Sequence, residues 1–152
     1  MSEQTERIYP SRPLVGVGAV VWDGARVLLI RRGHPPAAGA WSLPGGLIEL
    51  GETAAHAVQR EVREECSLEV AVGPVLGVFE PIQRDEQARV VYHFVVIDFL
   101  AHRISGEAQA GDDADEVRWV TPEELATYPL TDAVRQMIAR ALELAQSTEA
   151  GS

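Results

Sequence analysis

The hexapeptide Arg60-Glu61-Val62-Arg63-Glu64-Glu65 crowds three carboxylates into a very short span. At about 100° per residue, Glu61, Glu64 and Glu65 fall on one edge of a helix. Like charges three and four residues apart repel there, by roughly a few tenths of a kcal/mol per pair. Two situations tolerate such crowding. The edge is a solvated acidic face, or a hard divalent cation gathers the oxygens and keeps water in its remaining positions.

The residues ahead of the helix favour the cation. LPGGLIELGE contributes Pro44, Gly45, Gly46 and Gly51, and a further carboxylate at Glu52. Glycines let the backbone bend sharply and approach a ligand closely. Taken together, GGLIELGETAAHAVQREVREECSL resembles the Nudix box: glycine, five residues, glutamate, seven residues, then Arg-Glu-apolar-x-Glu-Glu-x-Gly-apolar. Gly46, Glu52, Arg60, Glu61, Val62, Glu64, Glu65 and Leu68 stand at its offsets, and Ser67 replaces its glycine. That position follows the helix, where a left-handed residue often closes the last turn. Serine there is expected to alter the helix exit at a cost of about 1 kcal/mol or less and to leave the chemistry in place.

The resemblance implies an α+β fold, a Nudix-like α/β/α sandwich around a central mixed β-sheet. It also implies a metal-dependent hydrolase that cleaves the pyrophosphate linkage of a nucleoside diphosphate derivative. Under it, Glu61, Glu64 and Glu65 ligate Mg²⁺ or Mn²⁺, and a backbone carbonyl of Gly45 or Gly46 adds a ligand. Glu52 sits in the outer shell or on a second metal, and Arg60 holds a carboxylate in position. The chemistry is coherent: a pyrophosphate repels hydroxide, so cations must neutralise it and activate a water. The general base stays open between Glu61 and Glu64 in the box and, outside it, Glu80 or the acidic run Gly111–Glu116. That run is better explained as a solvated loop.

Among Nudix proteins, the strands after the box and GDDADEVRWV look most like the ADP-ribose pyrophosphatase type. Pro81, thirteen residues beyond Leu68, stands slightly closer to the box than the proline of that group. The alternatives are a MutT-type (d)NTP pyrophosphohydrolase and a non-catalytic nucleotide-binding Nudix module. The last would be expected to lose box carboxylates, and here all four are present. Arg31 and Arg32 could reach a substrate phosphate by bidentate contact, or form a surface pair at a strand end. Trp41 could stack on a base or pack in the core, and Glu80 stands near a strand end.

Positioning these residues requires a frame. Leu14–Trp22 and Arg26–Arg32 flank Asp23-Gly24 and predict a hairpin. Gly33–Ala40 is a Pro- and Gly-rich loop, and WSLPGG a short strand running into a turn. Glu52–Cys66 is free of Gly and Pro, with Ala55, Val58, Val62 and Cys66 as its apolar stripe. Ser67–Pro81 and Ala88–Ala101 predict long strands, and Glu116–Val120 a final one. Thr121-Pro122-Glu123-Glu124 is a capping box that opens a helix, and a second helix is expected from Thr131 to about Gln146. The domain organisation predicted is a loose arm at 1–12, one domain at 13–146 and a frayed tail at 147–152.

Composition limits the partners. The chain has 152 residues, 46% of them hydrophobic, and a formal net charge of −10. One core of ordinary size fits, and nucleic-acid binding is not expected without a basic surface. Cys66 is the only cysteine, which excludes an intrachain disulfide, suits a reducing compartment and reads as a buried thiol. His34, His56, His93 and His102 lack ligand spacing, and Trp119 reads as core. No run is long and apolar enough for a membrane, so a cytoplasmic protein is expected. The long strands and the arm are compatible with pairing into a homodimer.

Overall fold

Alternation along the strands explains the architecture. In Leu14–Trp22, the odd residues Val17, Ala19 and Val21 enter one buried cluster, while Val20 and Trp22 enter another. A strand apolar on both faces belongs in the middle of a sheet with both faces covered. The computed structural model, which describes residues 7–33, 39–111 and 114–150, places it there. In chain order the strands are β1 (Leu14–Trp22), β2 (Val27–Arg32), β3 (Trp41–Ser42), β4 (Gly45–Leu47), β5 (Glu69–Phe79), β6 (Ile82–Arg84), β7 (Val90–Ser105) and β8 (Ala114–Val120). The helices are α1 (Ala54–Cys66) and α2 (Asp132–Ala150).

β1 runs parallel to β7 along its whole length, from Leu14 opposite Phe94 to Trp22 opposite His102. β5 pairs antiparallel with the other edge of β7, and β4 antiparallel with the first half of β1. The sheet is therefore mixed. Val58, Val62 and Cys66 of α1 pack on one face with Leu28, Ile30 and Phe99. Met137, Ile138 and Ala141 of α2 pack on the other with Leu29, Leu100 and Val120. This is the sandwich expected.

Four local expectations are corrected. The Asp23-Gly24 turn forms, with the Asp23 carboxylate accepting from the amides of Ala25 and Arg26 at 2.9 and 2.6 Å. It does not close a long hairpin, because β1 and β2 share only the Trp22–Val27 pair. Two strands that are each apolar on both faces find longer partners in β7 and β8. In α1, Ala55 is exposed and Ala57 takes its place on the buried face with Val58, Val62, Glu65 and Cys66. The capping box at Thr121 is formed, since the Glu124 carboxylate accepts from the Thr121 amide at 3.2 Å. It opens only a single 3₁₀ turn, Glu124–Thr127, before Pro129 intervenes. Finally, α2 continues to Ala150, past Gln146.

The end of α1 is closed as its sequence suggests. Ser67 adopts φ 61°, ψ 30°, and its amide donates to the carbonyl of Arg63 at 3.0 Å. The next free carbonyls of the helix are then taken by a strap from the end of β7. Gly111 donates to Glu65 at 2.8 Å and Gln109 to Cys66 at 3.0 Å. A Cβ on Gly111 would lie 2.0 Å from the carbonyl oxygen of Glu64, so the strap touches the helix backbone itself. Cys66 is buried here, and burial pushes its thiol pKa up, which leaves it an inert core group.

Replacing Ser67 by Gly removes the left-handed strain of a Cβ residue and is expected to stabilise the chain by about 0.5–1 kcal/mol. A chemical-denaturation midpoint measures this; an unchanged or lower midpoint would show that serine carries a compensating contact.

Candidate functional site

α1 starts where Thr53 accepts a hydrogen bond from the His56 amide at 3.2 Å. Its packing through Val58 and Val62 fixes its rotation, so the carboxylate edge turns towards β4 and the loop Leu47–Glu52. Glycine keeps that contact close. A Cβ on Gly46 would lie 2.5 Å from the carboxyl carbon of Glu61, so any larger residue there would push the acid aside.

Arg60 stands among the carboxylates. Its Nε and Nη2 donate to the two oxygens of Glu52 at 2.7 and 2.9 Å, and Nη2 also donates to the carbonyl of Leu47 at 3.0 Å. Nη1 donates to Glu61 at 2.7 Å and to Glu64 at 3.3 Å. The bidentate contact with Arg60 holds the Glu52 carboxyl down to about 2. Glu52 also accepts from the Glu49 amide and lies 3.2 Å from His56 Nδ1. It is thereby committed to holding the loop and the guanidinium together.

Glu65 differs from its neighbours. It is only 4% exposed, and its Oε1 accepts from the Gly45 amide at 3.3 Å. Burial, then its hydrogen bond to Glu61 and the charge of that neighbour, push its pKa up to about 9. Glu64 is the open member of the set, with 46% of its side chain exposed. The donor groups at this corner are all oxygen, Glu61 and Glu65 beside the Gly45–Gly46 backbone and Glu64 lining the same cleft, and such groups suit a hard divalent cation. Among the described residues no group of three or more His, Cys, Asp or Glu side chains is drawn together closely enough to hold a metal ion. Arg60 and the proton held on Glu65 offset only part of the charge.

Glu61, Glu64, Glu65, Glu52 and Arg60 line one cleft of about 750 Å³. Arg7 and the segment Arg12–Val15 line it as well, together with Glu49, which is 3.7 Å from Arg60. These residues had no motif to mark them; the arm reaches the cleft only through tertiary contacts. The structure brings none of Arg31, Arg32, Trp41 and Glu80 to this lining. Alternation along β2 sends its two arginines to opposite faces. Arg32 turns towards α1, where its charge opposes the rise at Glu65 and its Nε is buried with no hydrogen-bond partner among the described residues. Arg31 turns the other way, 3.5 Å from Glu116 and 5.9 Å from the ring centre of Trp41. Trp41 packs edge-on to Tyr128 at 5.2 Å, against the α2-side core. Glu80 is exposed. In the acidic run, Asp112 and Asp113 lie outside the described residues, as does His34.

Comparison with known proteins places the fold in a family. The NUDIX domain family matches residues 12–141. An ADP-ribose pyrophosphatase of Methanocaldococcus jannaschii is 39% identical over 107 residues, 70% of this chain. The match spans 61% of that protein's length. A MutT-like protein of Streptomyces ambofaciens is 34% identical over 83% of this chain and 75% of its own. The crystal structure of a MutT NUDIX hydrolase from Burkholderia pseudomallei superposes with a TM-score of 0.73 at 32% identity, covering 86% of this chain and 98% of that one.

The raised Glu65 has a consequence for the metal-free chain. Between the ordinary carboxyl value of 4.5 and about 9, the folded chain keeps this proton and the unfolded chain releases it. Stability contributed by Glu65 therefore falls as pH rises through that window. Thermal melting of the chelator-treated protein should lose several degrees more between pH 5 and pH 8 than the Glu65→Gln variant does. Parallel pH profiles for the two proteins would show that Glu65 is ionised in the fold.

Proposed function

The chain belongs to the NUDIX family, and from that premise we propose that it is a divalent-metal-dependent pyrophosphohydrolase of nucleoside diphosphate derivatives, ADP-ribose foremost. What carries the reading is the placement of Glu61 beside Gly46 and Glu65 beside Gly45, with Glu64 lining the same large cleft. Like charges placed at such close quarters on a packed helix are poorly explained by a solvated surface. ADP-ribose is favoured by the relative from M. jannaschii, whose name carries that activity.

In this reading Glu61, Glu64 and Glu65, with a carbonyl of Gly45 or Gly46, would hold Mg²⁺ or Mn²⁺. When bound, the ion would supply neutralisation of the diphosphate and acidification of a water. Glu65 must surrender its proton on joining such a set. Arg60 and Glu52 keep α1 in register with the Leu47–Glu52 loop, so that the donors stay aimed at one place. Glu64, exposed and only weakly engaged by Arg60, is the member best placed to accept a proton from the attacking water. Water attack on ADP-ribose then yields AMP and ribose 5-phosphate.

A second reading, (d)NTP hydrolysis releasing pyrophosphate, is favoured by the MutT-like relative and the MutT structure. It uses the same carboxylates and differs only in what the rest of the cleft accepts. A non-catalytic nucleotide-binding role sits poorly with a complete set of box carboxylates.

A hydrolysis panel with Mg²⁺ or Mn²⁺, setting ADP-ribose and sugar nucleotides against all (d)NTPs, decides among these. AMP plus ribose 5-phosphate is expected; a nucleoside monophosphate plus pyrophosphate would transfer the chain to the second reading. Glu61→Gln and Glu65→Gln should each lower kcat roughly 100-fold or more without altering circular dichroism. Near wild-type turnover in both would sink the metal-ligand assignment.

A further inference from the structure

The cleft holds more acid than its own cations can balance. Among the described residues five carboxyl groups line it, on Glu49, Glu52, Glu61, Glu64 and Glu65, and the Arg60 guanidinium already pairs with four of them, Glu49, Glu52, Glu61 and Glu64. An anionic ligand entering such a site needs a further positive charge that is not already paired. Arg12 meets that need: it lines the cleft and is exposed, and among the described residues it makes no hydrogen bond or ion pair.

Arg12 is also held in place. It lies in Pro10–Pro13, a four-residue bridge with proline at both ends. At one end the Tyr9 amide donates to the carbonyl of Val91 at 2.7 Å, and the Tyr9 hydroxyl donates to Asp85 at 2.9 Å. The guanidinium of Arg89 lies 5.0 Å from the Tyr9 ring centre and donates to the same carboxylate at 2.9 Å. Asp85 is itself fixed by accepting from the amides of Gln87 and Arg89. At the other end Leu14 enters the sheet opposite Phe94. Both ends of the bridge are thus tied to the same strand, β7, and the prolines restrict what lies between. Little backbone freedom remains to be lost when the side chain engages a ligand.

We infer that Arg12, presented by a bridge pinned at Tyr9 and Leu14, binds the diphosphate of the substrate in the cleft and sets affinity for it. The inference rests on the reading of this cleft as the seat of a nucleoside diphosphate derivative. It assigns residues 9–14 a task in the site, where sequence suggested only a loose arm. The bidentate fork of an arginine suits phosphate oxygens, and its contact is made equally in the bound and reacting states, so it acts on binding more than on the chemical step.

The test compares wild type, Arg12→Ala and Arg12→Lys by steady-state kinetics on the nucleotide that the hydrolysis panel identifies. It adds calorimetric binding of ADP-ribose with Ca²⁺ in place of Mg²⁺. In Arg12→Ala, KM should rise about tenfold or more with kcat within about threefold of wild type, and Mn²⁺ affinity should not change. Arg12→Lys should recover part of the loss, because the charge returns without the fork. Tyr9→Ala should shift KM in the same direction by less; an unaltered KM there would overturn the role of the pinned bridge. Equal KM and equal ADP-ribose affinity in Arg12→Ala and wild type would overturn the inference while leaving the hydrolase reading untouched. A wild type that binds ADP-ribose but hydrolyses nothing would instead overturn the hydrolase reading, and the affinity comparison would still decide Arg12. Absence of ADP-ribose binding by wild type would overturn the inference too.

Discussion

Everything at this site depends on the electrostatic problem of one helix edge. Three carboxylates are brought together on α1 by chain geometry, and the core-facing stripe prevents the helix from rotating to relieve them. Arg60 is the local answer. Its five donors are spread over Glu52, Glu61, Glu64 and the carbonyl of Leu47, and so it neutralises charge and fastens the Leu47–Glu52 loop to the helix in one arrangement. A partly buried guanidinium is a costly group to desolvate. That cost is offset because each hydrogen-bond partner is a carboxyl group or a backbone carbonyl with well-formed geometry.

The frame around α1 keeps the problem from dissolving. The strap Gly106–Gly111 takes up the carbonyls of Glu65 and Cys66, so the last turn cannot fray outwards to separate the acids. Gly46 lets β4 press on Glu61, and the Gly45 amide meets Glu65. The result is a carboxyl at Glu65 that remains protonated where an ordinary glutamate would ionise. A packed protein that retains such a conflict has not minimised its free energy at that spot, and strain retained within a rigid frame points to a use for it.

Much of this was legible in the sequence because it is local. The spacing of Glu61, Glu64 and Glu65, the start of α1 near Thr53 and its left-handed exit at Ser67 are all set by residues within a turn or two. What failed to read was decided across the sheet. Asp23-Gly24 correctly marks a turn, but the choice of β7 as the partner of β1 depends on which strand buries both faces best, and no pair of adjacent residues encodes that. Arg31 and Arg32 are neighbours in sequence and sit on opposite faces in space, since strand alternation separates what the chain joins. Ala55 and Ala57 differ by about 200° around a helix, and only the packing on Leu28 and Ile30 says which is buried. The contribution of Arg12 to the cleft is the most distant of these, because it passes through Tyr9 and a turn some eighty residues away.

Net charge gives the arm its meaning. At −10 the chain as a whole repels nucleotides, but screening confines that repulsion to about 8 Å at physiological ionic strength. An anion that has diffused into the cleft therefore responds to the few charges within that radius, and those on α1 and its loop are predominantly negative. A bound divalent ion reverses the sign on the carboxylate side. The chain's own positive groups lining the cleft come from Arg60, which is spent on the carboxylates, and from the arm. On the proposed reading, selection among phosphorylated ligands would then depend on how metal and arm together match the spacing of the phosphates, a property written in the tertiary structure and not in the box that identifies the family.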